Sequence, residues 1–333
     1  MKFGKSIYRR GFTLIELMTA MAITGMLVVV IMQLTNQSID LWKAVSEDVS
    51  TSSRSRAALQ TISRDFESFQ MRGYDNKYQW LFAKADERMD NVPKGLDIPR
   101  SVQCVFFACA PDRNPSVSSS VSLRKNYRDA RAHNRETQGD VNAIGYRLMY
   151  RDQILNLPAT DGNEPGVYPL FSLYRHVVPP RSSFEDLLGK ENLESAYVRF
   201  ENDDEKNENF LCENILEMNI SFNIRYAKSE ADAEEGRVEY EVVTVPIVAT
   251  NRRTNKVQVY GDRIVAGGTT YENARIDSAM LSITVLTEEG VAMVEQIRQG
   301  RRRAPKKIAD FFAKYTRSYA RMVALPSLSD FLQ

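Results

Sequence analysis

The chain has little of what catalytic and metal centres are usually built from. Its 333 residues include only two histidines, His133 and His176, which lie in separate segments. Neither belongs to a His-x-x-x-His pattern, and the cysteines form no Cys-x-x-Cys pattern, so the usual sequence evidence for a zinc site is missing. A glycine-rich loop that would cradle a phosphate is also missing. We therefore expect neither an enzymatic activity nor a cofactor.

An excess of charge of one sign is absent too. Lys and Arg number 44 against 43 Asp and Glu, a net charge of +1. No overall field then draws the protein to nucleic acid or to an acidic substrate. The basic run at residues 301–307 carries no interleaved aromatic residues, unlike a surface that stacks bases, and we interpret it as a solvated loop or linker. No nucleic-acid partner is predicted.

Two acidic stretches raise the question of calcium. Residues 201–205 read Glu-Asn-Asp-Asp-Glu, and residues 227–237 contain four further carboxylates. Carboxylates are the oxygen ligands that calcium prefers, but neither stretch has the spacing of an EF-hand loop. We interpret both as solvated acidic loops and keep a calcium site as the weaker alternative.

The sequence does contain one long apolar run, from Phe12 to Met32, directly after a basic leader. Its 21 residues would form about 32 Å of helix, which matches a hydrocarbon core of roughly 30 Å. Glu16 is its only charged residue. A lone carboxylate at the bilayer centre costs about 2.5–3.5 kcal/mol, so we expect Glu16 to have a specific partner.

The residues around this carboxylate carry a family resemblance. A basic leader ending in Gly11, followed by Phe-Thr-Leu-Ile-Glu at residues 12–16, resembles the N-terminal motif of type IV pilins and type II secretion pseudopilins. The resemblance implies that a prepilin peptidase cleaves between Gly11 and Phe12 and methylates the new amine of Phe12. It also implies that Glu16 faces the terminal amine of a neighbouring subunit. Two charges that are each costly in lipid compensate one another when paired.

An ordinary secretory signal or signal anchor is the alternative. A secretory leader has a small-residue cleavage site after its apolar region, and Ala20 and Ala22 resemble one. The apolar run, however, continues for ten residues past Ala22. Under either interpretation the basic leader stays in the cytoplasm, and residues after about 33 lie outside. We expect a single-pass inner-membrane protein with a periplasmic head, located in the membrane or within an extracytoplasmic filament.

If the head lies in an oxidising compartment, its three cysteines, Cys104, Cys109 and Cys212, can form a disulfide. One disulfide and one leftover thiol is then the simplest arrangement, and Cys104 with Cys109 would close a small loop. Three buried thiols that act as small apolar side chains are an equally good interpretation.

The apolar pattern continues beyond the membrane-length run. No proline or glycine interrupts residues 26–72, and apolar residues recur at three- and four-residue steps. We predict one long helix over about residues 12–71, with a membrane part at 12–32 and an amphipathic stalk at 33–72. The Ser-rich stretch 50–56 is the expected bend or break, and Gly73 the expected stop.

Residues 73–333 read as a large β-rich head. The strand predictions are residues 102–108, 143–150, 171–178, 215–226, 238–248 and 278–286. The helix predictions are residues 182–188, 289–297 and 308–320. We therefore predict an α+β, pilin-like fold, in which a mainly antiparallel sheet packs against the long helix.

Two segments sharpen the resemblance. Residues 54–70, above all Ala57 to Phe66, resemble the stalk of J-type minor pseudopilins, and residues 144–148 are similar to a strand in their heads. The resemblance implies I- and K-type partners at the tip of a pseudopilus, and Glu16 argues against a K-type subunit, which typically lacks that carboxylate. The head departs from the J-type pattern around residues 111–140 and 227–277.

The resemblance implies a minor pseudopilin that assembles into or caps a type II secretion pseudopilus and acts in protein secretion. A minor pilin of a type IV pilus or DNA-uptake filament is the alternative within the same class. A membrane-anchored adhesin or substrate-binding module is the alternative from another class, and would expose aromatic residues of the segment 73–82.

Overall fold

The computed structural model describes most of the chain from Thr13 to Pro326. The described residues are 13–71, 76–85, 89, 92–93, 95–96, 98, 102–109, 141–159, 166–204, 206–227, 240–247, 249–250, 253–254, 256–305 and 307–326. The chain divides into two compact units, Met1–Ser50 and Thr51–Gln333, and each is described by itself.

The N-terminal helix spans Leu14–Glu67. All the side chains of residues 14–32 are exposed, and the most apolar 18 residues have a mean hydropathy of 2.3. By length and composition the helix can cross a membrane, as the apolar run predicted. The predicted first residue, Phe12, lies outside the described residues.

The helix is continuous through residues 50–56, so of the predicted bend or break the break is wrong. Serine in a helix can bond the carbonyl four residues earlier, and the Ser55 hydroxyl donates to the Thr51 carbonyl at 2.6 Å. The helix ends at Glu67, four residues before the predicted end, because the chain then joins a sheet: the Gln70 amide donates to the Phe107 carbonyl at 2.8 Å. Gly73 lies outside the described residues.

The described residues contain fifteen strands. They are β1 (Leu81–Ala85), β2 (Val102–Ala108), β3 (Asn142–Asp152), β4 (Leu157–Pro158), β5 (Leu170–Val178), β6 (Phe210–Glu213), β7 (Ile215–Ala227), β8 (Tyr240–Ile247), β9 (Ala249–Thr250), β10 (Arg253–Thr254), β11 (Lys256–Tyr260), β12 (Arg263–Ala266), β13 (Thr269–Tyr271), β14 (Ala274–Leu286) and β15 (Thr316–Ala324). All six predicted strands are among them.

Strand pairing gives two main sheets, antiparallel throughout. The larger has nine strands in the order β13-β12-β11-β1-β2-β3-β5-β6, with β4 beside β3. The smaller has the order β15-β14-β7-β8, and β9 with β10 forms a separate ribbon. A helix followed by a mainly antiparallel head is the α+β arrangement that the sequence predicted.

The second half of the N-terminal helix lies in the core between the two sheets. Ile62 and Phe66 are fully buried. The Phe66 ring lies 4.5 Å from that of Phe106 on β2 and 6.4 Å from that of Phe222 on β7, measured between ring centroids. Burying a side chain of this size contributes roughly 1.5–3 kcal/mol. The apolar stripe predicted on the stalk is therefore the contact that joins the helix to both sheets.

Short helical segments cover the opposite face of the larger sheet. They are Pro180–Ser182, the π-helical turn Ser183–Leu187, Leu193–Tyr197, Val198–Phe200, Glu201–Asp204 and Asn207–Asn209. Leu187, Leu193 and Tyr197 pack there in a cluster that also contains Phe82 and Phe107. The predicted helix at 182–188 corresponds to the first two of these segments.

Two helices follow β14, at Glu288–Arg298 and Ile308–Tyr315. The first begins where the Thr287 hydroxyl accepts from the Gly290 amide at 3.1 Å. The predicted helix at 308–320 is wrong after Tyr315, because residues 316–324 pair with β14 from Leu286 back to Ser278. Pairing with a distant strand overrides the local helical pattern.

The structure describes only one of the two head segments that the resemblance did not cover. The whole of the predicted insertion 111–140 lies outside the described residues. Within the insertion 227–277, strands β11, β12 and β13 extend the larger sheet from β1. That insertion therefore adds strands to the core sheet.

A buried ion pair joins the helix to the larger sheet. Asp65 on the helix and Arg175 on β5 are 2% and 1% exposed. Arg175 donates from Nε to Asp65 Oδ2 at 2.6 Å and from Nη2 to Oδ1 at 2.9 Å, and the fully buried Tyr146 hydroxyl donates to the same carboxylate. This bidentate geometry fixes both the position and the rotation of the helix on the sheet.

We expect Asp65→Ala to lower the free energy of unfolding by about 3–5 kcal/mol, because Arg175 stays buried without its counter-charge. Thermal unfolding of the full chain in detergent micelles measures the loss. Glu67→Ala is the matched control, since Glu67 pairs with Arg321 at 3.6 Å on the surface and its removal costs at most about 1 kcal/mol. The paired change Asp65→Leu with Arg175→Met should recover much of the stability; equal losses for Asp65→Ala and Glu67→Ala would contradict this account.

Candidate functional site at the N-terminal helix

The predicted site residue Glu16 lies in the first turn of the N-terminal helix, where it forms a capping box with Thr13. The Thr13 amide and the Thr13 hydroxyl each donate to Glu16 Oε2 at 3.0 Å. In return the Glu16 amide donates to Thr13 Oγ1 at 3.3 Å. A Thr-x-x-Glu box of this kind satisfies amide donors that the start of a helix otherwise leaves unpaired.

The same arrangement reduces the cost of the carboxylate. A negative charge is stabilised at the positive end of the helix dipole, and Glu16 lies in that first turn. Among the described residues, both donors reach Oε2 and none reaches Oε1. The carboxylate is exposed, and its Oε1 retains the capacity to accept a further bond. Glu16 can therefore keep its cap and still bind a cation from outside the chain.

Gly11 and Phe12 lie outside the described residues, so the cleavage site and the methylated amine stay predictions. The sequence analysis did not single out Thr13. The signal that would have found it is the three-residue spacing of Thr13 and Glu16 just before an apolar run, which is the usual mark of a capping box.

All three cysteines are thiols in this structure, which is the second of the two predicted arrangements, and the Cys104–Cys109 disulfide stays a prediction. Cys104 lies on the extended strand β2, and five residues of strand separate the two Cα atoms by roughly 16 Å. A disulfide needs roughly 4.4–6.8 Å. Cys104 and Cys212 are buried, and Cys109 is exposed. Burial raises the pKa of Cys104 far above its usual range and that of Cys212 to about 11, so both behave as small apolar side chains.

His176 is bonded within the core of the head. It is buried on β5, where its Nδ1 lies 2.7 Å from Asp204 Oδ1, and the buried Tyr197 hydroxyl donates to the same oxygen at 2.7 Å. These bonds tie the helical segments to the sheet. Asp204 belongs to the stretch predicted as a solvated acidic loop, and for this residue that prediction is wrong, since it is 2% exposed. His133 lies outside the described residues.

The described residues contain no group of three or more His, Cys, Asp or Glu side chains that would hold a metal ion. Most of the second acidic stretch, residues 228–239, lies outside them. In the predicted basic run, Arg301, Arg302 and Arg303 are exposed, as a solvated loop requires.

The aromatic residues of the segment 73–82 pack inward where they are described. Phe82 is fully buried, and the half-buried Trp80 has its ring 6.0 Å from that of Phe107 in an edge contact. Tyr78 is half-buried and Tyr74 lies outside the described residues. This segment therefore contributes to the core, and the described part of it presents no exposed aromatic binding surface.

We expect Thr13→Val to speed hydrogen exchange at the Glu16 amide, because valine keeps the shape of threonine but offers no acceptor to that amide. Exchange measured by mass spectrometry on the full chain in micelles reports this. Thr13→Ser, which keeps the hydroxyl, is the control and should exchange like the original chain. Equal rates in both variants would show that the capping box does not hold this turn.

The comparisons with known proteins bear on this site alone. A family model described as the prokaryotic N-terminal methylation motif matches residues 7–32. No curated protein and no solved structure matches the chain. The match includes Gly11, Phe12, Thr13 and Glu16, and it stops where the membrane-length run ends. It supports a type IV pilin-like protein whose apolar N-terminal helix is suited to inner-membrane anchoring.

Proposed function

We propose that the chain is a minor pseudopilin that assembles into or caps the pseudopilus of a type II secretion system and acts in protein secretion through subunit contact. The observation that carries this proposal is the capped but still accessible Glu16 carboxylate, at the start of an exposed apolar helix and inside the matched methylation motif. Cleavage after Gly11 gives Phe12 a new amine. The amine of a neighbouring subunit is the cation that Oε1 accepts.

Exposed apolar side chains beyond the membrane-length run support assembly. Residues 33–50 are helical, and their exposed large apolar side chains are Leu34, Ile39, Leu41, Trp42, Val45 and Val49. Trp42, Val45 and Val49 follow helical spacing and lie on one face. Such a stripe outside lipid is stabilised by packing against other helices. A subunit whose helix lies among neighbouring helices has that packing.

The two segments that resemble J-type pseudopilins support a minor rather than a repeated position. Residues 54–70 and residues 144–148 are distant in sequence but meet in the core, where Tyr146 on β3 donates to Asp65 on the helix. The resemblance therefore falls on one packed unit, the part of the head that holds the stalk. I- and K-type pseudopilins are the proposed partners, together with the prepilin peptidase and inner-membrane lipids.

The proposed topology follows from the same elements. Residues 1–11 are a cytoplasmic leader that is cleaved, residues 12–32 cross the inner membrane, residues 33–72 form the stalk, and residues 73–333 form the periplasmic head. A minor pilin of a type IV pilus or DNA-uptake filament would share this topology, and its partners would differ.

We expect Gly11→Val to block cleavage, because the branched side chain occupies the position that the peptidase reads as glycine. Mass spectrometry of the protein from membranes should find the leader still attached. Gly4→Val, a matched change inside the leader, should leave cleavage intact. A mature chain that begins at Phe12 in the Gly11→Val variant would reject the assigned cut.

We expect Glu16→Gln to be cleaved normally but to enter the filament or tip complex poorly, because glutamine keeps the cap and removes the charge. Glu16→Ala, which removes both, should also be cleaved and should assemble no better. In-cell crosslinking followed by mass spectrometry measures incorporation and identifies the attached chains, which separates secretion from pilus or DNA-uptake partners. Normal assembly of Glu16→Gln would remove the charge-pairing argument.

A further inference from the structure

The hairpin between β3 and β4 ends in a cluster of exposed apolar side chains. Ile154 is 87% exposed, and Leu155 and Leu157 are 51% and 43% exposed. Tyr168, on the segment that the same hairpin bonds, is 61% exposed. We call these four residues the apolar tip. Single exposed apolar side chains are common, but a group of neighbouring ones marks a surface that contacts another molecule or a membrane.

Two side chains of β3 fix the backbone of the apolar tip. The buried Asp152 carboxylate accepts from three of its amides at 2.8, 3.0 and 2.7 Å, those of Ile154, Leu155 and Tyr168. Arg151 donates from Nη2 to both the carbonyl and the side-chain oxygen of Asn156 at 3.0 Å. A surface that is already ordered loses little conformational entropy when it binds. The fold therefore presents the apolar tip in a binding-ready form.

An arginine run at residues 301–303 lies beside the apolar tip, and all three side chains are exposed. Arg298 links the two, because its Nη2 donates to the Val167 carbonyl, next to Tyr168, at 3.1 Å and to Glu295 Oε1 at 2.6 Å. Hydrogen bonding by Arg298 and the charge of Arg301 lower the pKa of Glu295, so Arg301 lies within Coulombic range of that carboxylate. The positive charges therefore flank the tip at Tyr168.

The apolar tip lies at the end of the head where the N-terminal helix enters. Arg54, in the first turn of the helix within the unit Thr51–Gln333, pairs with Glu213 on β6. Glu213 lies opposite Ser172 on β5, and the Ser172 hydroxyl accepts from Gln153, the residue before Ile154. This chain of contacts connects the entry of the helix to the tip.

An anionic bilayer surface matches both parts of this region. Apolar side chains at the surface of a protein bury in the boundary between headgroups and acyl chains, and tyrosine favours the headgroup level. Arginine binds lipid phosphates with bidentate geometry. A protein partner would need an apolar patch and an acidic patch at matching positions, whereas anionic lipid offers both everywhere. The N-terminal helix of the same chain is suited to anchoring in a membrane.

We propose that the apolar tip and the arginine run bind the anionic surface of the membrane that anchors the chain. In the bound state Ile154, Leu155 and Leu157 enter the acyl boundary, Tyr168 lies among the headgroups, and residues 301–303 bind phosphates. This contact holds the head against the lipid as a second attachment beside the helix. It requires the membrane anchor and does not depend on which filament system the chain serves.

Insertion of the tip is tested with the full chain in vesicles of equal parts phosphatidylcholine and phosphatidylglycerol. A fluorescent amino acid replaces Ile154, whose exposure leaves room for it, and phosphatidylcholine with brominated acyl chains quenches a label that reaches the acyl region. We expect strong quenching at position 154. The same label at Val198, an exposed apolar residue on another face of the head, is the control and should stay unquenched. No quenching at 154, or equal quenching at both positions, would overturn the proposal.

The arginine run is tested by the triple variant Arg301→Gln, Arg302→Gln and Arg303→Gln, which changes only exposed side chains and should unfold like the original chain. We expect the equilibrium constant for contact, measured by quenching at 154, to fall about fivefold for each arginine removed. Vesicles of phosphatidylcholine alone, or high salt, should weaken the contact of the original chain in the same direction. Quenching that is the same in the variant and in the original chain would overturn the assigned role of the arginines.

A protein in place of lipid at the tip would give a different result. The label at 154 would then shift its emission to the blue without quenching by brominated lipid, and the shift would disappear as the chain is diluted in excess lipid. That outcome would overturn the proposal and assign the tip to a contact between chains. Cleavage at Gly11 and filament entry are measured separately, so their failure leaves this test intact.

Discussion

The contact between Asp65 and Arg175 is the constraint on which the head depends. Asp65 is a buried carboxylate on the helix face that packs in the core, and it accepts two hydrogen bonds from Arg175 and one from Tyr146. Apolar packing of Ile62 and Phe66 would tolerate small rotations of the helix. The bidentate pair does not, because each shift leaves a buried charge without its partner. Packing supplies the stability of this junction, and the ion pair supplies its register.

The local patterns of the sequence were enough for the helix face and for six strands. Strand β7 alternates polar and apolar residues and was recognised by that alone, since one of its faces lies on the core. Residues 316–320 of strand β15 were predicted to be helical. The strand forms because it pairs with β14, which lies far away in sequence. The short strands β1 and β6 lack an alternation long enough to recognise. Asp65 was passed over for a related reason: a charged residue inside an apolar stripe looks solvated until its partner on another strand is known.

The candidate site differs from the head, because its main residue could be recognised from the sequence alone. Glu16 was found from its isolation in an apolar run, an argument that needs no tertiary information, because lipid makes a lone carboxylate conspicuous. The role of Thr13 could also have been predicted from the sequence, through its spacing from Glu16. For Cys104 and Cys109, the spacing in sequence gives no distance until the conformation between the residues is known.

The geometry of Glu16 also bears on how a charged residue serves both a separate subunit and an assembled one. If the carboxylate had to break its hydrogen bonds to Thr13 when it bound a partner, the loss of those bonds would offset the new interaction. Here Thr13 occupies Oε2 only, so an incoming amine at Oε1 adds an interaction without breaking the cap. The cap therefore lowers the cost of the charge in the separate chain and holds the carboxylate in position for its partner. Because the hydrogen bond from the Glu16 amide to Thr13 Oγ1 also depends on this turn, the start of the helix and the proposed assembly site are one structural unit.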